Sequence, residues 1–177
     1  MIWESSDWKE PLLESASRLE QLSTSSEIDE TGFVQIEKDV FIGFYAIRKL
    51  METAKISDST KNFAIDLKCY PNLKAVDYMN WHKVDELYDL SGKQRETKSL
   101  RVLCNFIVHS YIFMPELSDD GRLVSFYVTS DKDRNKKLYS VSIEQVVEIF
   151  QLVGNDYPRN TKMTRNPKTG DLDIESW

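Results

Sequence analysis

Apolar side chains return every three or four residues along much of this chain, the period of a helix with one buried face. Trp8, Leu12, Ala16 and Leu19 predict a first helix over 8–22. Asp7 and Glu10 have the spacing of a capping box, and Pro11 falls in the first turn, where its missing N–H does no harm. The Ser/Thr-rich stretch 23–26 predicts a loop. Phe33, Ile36, Val40, Phe44, Ile47 and Met51 form one stripe, widened by Phe41 and Leu50, and predict a long core helix over 32–54. Leu100, Leu103, Cys104, Ile107, Val108 and Tyr111 predict a strongly apolar helix over 98–113, with Pro115 marking its end.

The pattern changes elsewhere. Residues 55–62 form a polar linker, and 63–69 alternate, which predicts a short strand or extended segment ending at Pro71. Asn80 is placed to cap a short helix over 81–88, with Val84, Leu87 and Tyr88 inward. A turn at Asp119-Asp120-Gly121 leads into two β-rich runs, 123–129 and 138–141, joined by a charged tip at 131–137. These predict a β-hairpin. Ser142 and Gln145 form a second capping box, opening a helix over 143–153, and Gly154 stands where a C-cap glycine belongs. Periodicity stops there, so 158–177 reads as an extended tail with Ile174 and Trp177 as docking anchors. The expected fold is mainly α (α+β): a helical bundle with an appended β-hairpin and C-terminal helix. One globular domain over 1–157 would hold a helical core at 7–113 and the hairpin plus helix at 122–154.

Composition narrows the picture. With 177 residues, 41% hydrophobic and 29% charged, the chain can bury a sizeable core without a disulfide or metal. Cys69 and Cys104 make no CxxC pair and suit buried thiols in a reducing compartment. Two histidines, 82 and 109, and no cysteine cluster argue against a zinc site. No basic-then-apolar leader opens the chain, and its longest apolar run, 40–47, is far short of the ~20 residues of a membrane span. These features predict a cytoplasmic protein without membrane or metal. No GxxxxGK[ST], GxGxxG or HExxH occurs, so no cofactor is expected. The tip 131–137 begins like an EF-hand loop but has Lys136 at the glycine position and Ser142 at the glutamate position, which argues against calcium. The net charge of −6 comes from residues 1–60, with six Lys/Arg against twelve Asp/Glu; the rest is balanced, seventeen against seventeen. Any nucleic-acid contact is therefore expected after residue 60.

One constellation suggests chemistry. Arg101, Asn105 and His109 are four apart each time and fall within about 80° of helical arc, bordering the apolar face. Imidazole suits proton transfer near neutral pH, and guanidinium stabilises phosphoryl charge. Together they are what metal-independent RNA cleavage needs. The tip adds Lys132, Arg134, Lys136 and Lys137 as candidate anion contacts.

The segment Cys104-Asn105-Phe106-Ile107-Val108-His109-Ser110-Tyr111 resembles the signature helix of the HEPN superfamily, small helical domains that are often dimeric and often ribonucleases. Their motif is Arg, a polar residue, a few apolar residues and His, often followed by x-Tyr. Here Asn105, His109 and Tyr111 match the polar, histidine and tyrosine positions, while Cys104 stands where the arginine belongs and Arg101 lies one turn earlier. The resemblance implies a HEPN-like bundle. If it cleaves RNA as a metal-independent endoribonuclease, His109 is its acid–base group, Arg101 stabilises charge, Asn105 orients substrate and Tyr111 supports the site. Two functions stay open: an RNA- or partner-binding protein of this kind, with or without catalysis, and a structural or protein-interaction module that forms a homodimer through the His109 helix.

Overall fold

The computed structural model describes residues 2–24 and 28–177. Helices α1 (Ser6–Thr24) and α2 (Glu30–Leu50) come first, then a short α3 (Asp58–Lys61) and strand β1 (Ala64–Pro71). Next follow α4 (Val84–Leu87), β2 (Gln94–Ser99), α5 (Leu100–Val108), β3 (Ser110–Leu117), β4 (Leu123–Ser130), β5 (Lys137–Ser142) and α6 (Ile143–Gly154). A hairpin, β6 (Thr161–Arg165) and β7 (Leu172–Ser176), completes the chain. Strands β1 to β5 form one antiparallel sheet in the order β2-β1-β5-β4-β3. The expected helical bundle, and with it the bundle implied by the HEPN resemblance, is overturned by this sheet. The molecule is α+β, and the predicted hairpin (β4–β5) lies inside the sheet instead of being appended to helices.

Alternation along each strand makes two cores. Ile65, Leu67, Cys69, Phe126, Val128, Tyr139 and Val141 pack with buried residues of α1, α2, α5 and α6 into the main cluster. Side chains of opposite parity, Tyr70, Ile112 and Leu138, pack on the other face with Val76, Val84, Leu87 and Tyr88 of the segment after β1. The sheet is thus covered on both faces near that end.

The stripes predicted for α1, α2 and α6 are the buried ones, and Ser142 with Gln145 makes both hydrogen bonds of a capping box. Helix α2 ends at Leu50, short of the expected 54. Helix α1 begins at Ser6, so Asp7 sits in its first turn and is no cap. Ser23 and Thr24 close α1, and the rest of the loop expected at 23–26 lies outside the described residues. The linker expected at 55–62 holds α3. Gly154 is helical, with Asn155 as the C-cap; a Cβ there would come within 2.5 Å of Leu13, so close α1–α6 packing explains the glycine better than a cap does.

The largest local correction is at 98–113. The single helix expected there is the end of β2, nine residues of α5 and the start of β3. A continuous apolar run fits a buried helix and a doubly covered strand equally well. Pro115 lies within β3, an edge strand where a missing N–H is tolerated. Residues 158–177, expected as an extended tail, contain the β6–β7 hairpin. Ser176 anchors it: its buried hydroxyl donates to the Ile56 carbonyl at 2.8 Å, and its N–H donates to Asp58 Oδ2 at 3.1 Å.

Two buried charges tie helices together. Asp39 on α2 accepts two hydrogen bonds from the Arg18 guanidinium (2.7 and 3.1 Å) and one from Ser15 (2.8 Å). Lys9 is fully buried and donates to the carbonyls of Lys55 and Asp156, under the Tyr157 ring. Burial pushes its ammonium below the ordinary lysine value.

Candidate functional site

Helix α5 positions the site. Ser99 caps it, its hydroxyl accepting from the Val102 N–H. Leu100, Leu103, Cys104, Phe106 and Ile107 are buried and fix its rotation on the core. The polar edge 101–105–109 therefore faces outward, with Arg101 and His109 exposed and Asn105 half-buried. His109 is the C-cap at φ −112°, ψ 31°, and β3 begins at the next residue. The switch from helix to strand happens at this histidine.

The β4–β5 tip meets the same point. Ser110 pairs with Ser130, and the Asp131 N–H donates to the His109 carbonyl at 3.4 Å. Arg48, in the last turn of α2, closes the third side. A cleft of about 600 Å³ results. Val102, Asn105, Phe106 and His109 of α5 line it, facing Arg48 and Ser130 to Asp133.

Arg48 Nη1 lies 3.0 Å from His109 Nε2. A guanidinium only donates, so Nε2 is the acceptor in this contact. The arrangement puts an imidazole, a guanidinium, a carboxamide and Lys132 around one opening that Asp131 and Asp133 also line; the donors suit phosphate oxygens and the two carboxylates oppose them.

The predicted residues divide. His109, Asn105 and Lys132 line the cleft; Arg101 is exposed one turn earlier and is not among the lining residues. Tyr111 packs beside the second core, with the Arg134 guanidinium 4.1 Å from its ring centre, and does not join His109. Arg134 pairs with Asp131 (2.9 Å), Lys136 with Asp133 (3.0 Å) and Lys137 with Glu96. Among the described residues Lys132 is the tip cation without such a pair. Burial pushes the Cys104 thiol up to about 12, against the opposing charges of Arg101 and Arg48. It is an inert core group. Sequence reasoning missed Arg48; nothing local marks its partner.

Beside the cleft, Phe106 stacks on Tyr139 at 4.8 Å between ring centres. The Tyr139 hydroxyl donates to Glu96 at 3.2 Å. Lys137 and Lys98 flank that carboxylate and hold it down to about 2. Among the described residues no three His, Cys, Asp or Glu side chains are placed to hold a metal ion, and no helix is long and apolar enough to cross a membrane. No family model matches the chain, and neither a curated protein nor a solved structure matches it.

Proposed function

We propose that the protein binds RNA by its phosphodiester backbone in the cleft at the end of α5. The observation that carries this reading is the Arg48–His109 hydrogen bond in an open cleft that Lys132 also lines. Arg48 and Lys132 take phosphate oxygens, Asn105 orients the strand, and His109 stands at the phosphate as donor or proton acceptor.

The test is binding of labelled single-stranded RNA in EDTA at several salt concentrations. Wild type binds with an affinity that falls as salt rises. Arg48→Ala and Lys132→Ala each weaken binding roughly tenfold and flatten the salt dependence by about one unit of slope. Thermal melts establish that the variants fold. Absence of saturable binding at low salt, or variants that bind like wild type, overturns the reading. Cleavage by wild type and none by His109→Ala extends it to metal-independent catalysis, with His109 moving the proton.

A protein partner is the second reading, and a different surface favours it. Tyr78 and Met79 are 82% and 80% exposed, and Leu73 and Trp81 of the same segment between β1 and α4 are exposed as well. Tyrosine, tryptophan and methionine are enriched in protein interfaces.

A further inference from the structure

We propose that a second cleft, between the end of α2 and the β6–β7 hairpin, binds a small amphipathic anion: a carboxylate with an aliphatic or aromatic body. The cleft measures about 670 Å³, within the size class of small-molecule sites. Its apolar walls are Ile2, Trp8, Tyr45, Ala54, Met163 and Ile174. It shares no lining residue with the His109 cleft, so the inference stands apart from the RNA reading.

The hairpin supplies the argument for an occupant. Met163 and Ile174 are cross-strand partners on one rung, aimed at the cleft, yet they remain 61% and 38% exposed. Tyr45 opposite is 45% exposed. Leaving apolar surface in water on facing walls is unfavourable, and covering it with an apolar body is the direct relief. A two-stranded hairpin has little stability of its own. This one is held by Ser176, whose hydroxyl also accepts from the Lys61 ammonium at 3.1 Å, and by the Trp177 carbonyl, which accepts from the Arg159 and Asn160 N–H groups at 2.9 Å. Both anchors lie at its base, so the Met163–Ile174 rung forms a wall over the opening while the far turn at 166–170 stands clear.

Charge selects the head group. Two ammonium groups, Lys49 and Lys55, line the cleft against one carboxylate, Glu52. Lys49 pairs with Glu52 at 3.2 Å. The Thr53 hydroxyl donates to the Leu50 carbonyl and accepts from the Lys55 N–H. Among the described residues Lys55 makes no ion pair, although the Glu4 carboxylate acts on it from outside the lining, and it is the cation that meets a carboxylate head while its carbonyl holds Lys9.

The test is calorimetric titration of the full chain with decanoate and with decylammonium, both below the concentrations at which they aggregate. Decanoate binds one per chain, at least about tenfold tighter than decylammonium. Lys55→Glu, which leaves the backbone acceptor of Lys9 in place, reverses that order. Met163→Asp, on an exposed strand, weakens decanoate by roughly tenfold. Melting temperatures near wild type verify that both variants fold. Three outcomes overturn the proposal: no saturable binding of either probe, equal binding of both, or decanoate binding unchanged by the two substitutions. Sedimentation showing a dimer that Met163→Asp disperses also overturns it, because a second copy then fills the cleft.

Discussion

Arg48 and His109 are 61 residues apart in the chain and one hydrogen bond apart in the fold. The histidine was visible in the sequence because it breaks an apolar arc at helical spacing together with Asn105. The arginine was not, because a contact between helices leaves no mark in local periodicity. Arg101 shows the converse: it continues the four-residue stripe with Asn105 and His109, but it is not among the residues that line the cleft. Asp39 was also hidden, a charge inside an apolar stripe, and its pair with Arg18 makes an asymmetric prediction. Asp39 is 4% exposed and Arg18 42%. Removing the arginine strands a buried carboxylate, whereas removing the carboxylate lets the guanidinium return to water. Arg18→Met should cost about 3 kcal/mol and Asp39→Asn about 1–2 kcal/mol in urea unfolding. Equal losses would show that the site rehydrates in both variants.

At the scale of elements, those with a one-sided apolar period were legible: α1, α2, α6 and the β4–β5 hairpin. Strand β2, Gln94 to Ser99, contains no apolar residue and so carries no strand signal. Its core-side positions are filled by Glu96 and Lys98, which, with Lys137, satisfy one another at the sheet edge. Lys137 first and then Lys98 hold Glu96 at about 2, below its ordinary 4.5. A depressed carboxylate stabilises the fold fully above its unfolded value and loses that contribution as pH falls through its folded value. Glu96→Gln should therefore destabilise by about 1 kcal/mol at neutral pH, with the gap closing between pH 4.5 and about 2. A gap that does not change with pH would assign the effect to packing. Gly43 makes a second prediction at this scale. A Cβ there meets the Phe150 ring at 2.2 Å, and that ring is fully buried against α2. Gly43→Ala should destabilise by about 1–2 kcal/mol even though alanine favours helix by about 1 kcal/mol. A gain in stability would show that Phe150 can move aside.

At the scale of the whole molecule, fold class was the least legible property. The start of β3 looked helical because Tyr111, Ile112 and Phe113 continue the apolar run of α5, and β2 went unread because it holds no apolar residue. With those two unread, only β1 and the β4–β5 hairpin of the five-stranded sheet were legible, and nothing in the pattern joined them. The acidic first third contributes one cation, Arg48, to the lining of this cleft. What governs the site is local: the tip carboxylates Asp131 and Asp133 are paired to Arg134 and Lys136, leaving Arg48 and Lys132 as the cations of the opening. The most direct measurement is a nuclear magnetic resonance titration of the isotope-labelled chain with single-stranded RNA, following the Arg48 and Asn105 side-chain nitrogens, the His109 ring nitrogens and the Lys132 backbone amide. The account predicts that these signals shift together and saturate together, with His109 Nε2 changing as Arg48 leaves it for phosphate. Saturable shifts confined to another surface, such as Tyr78 to Trp81, or no shifts at all, would contradict it.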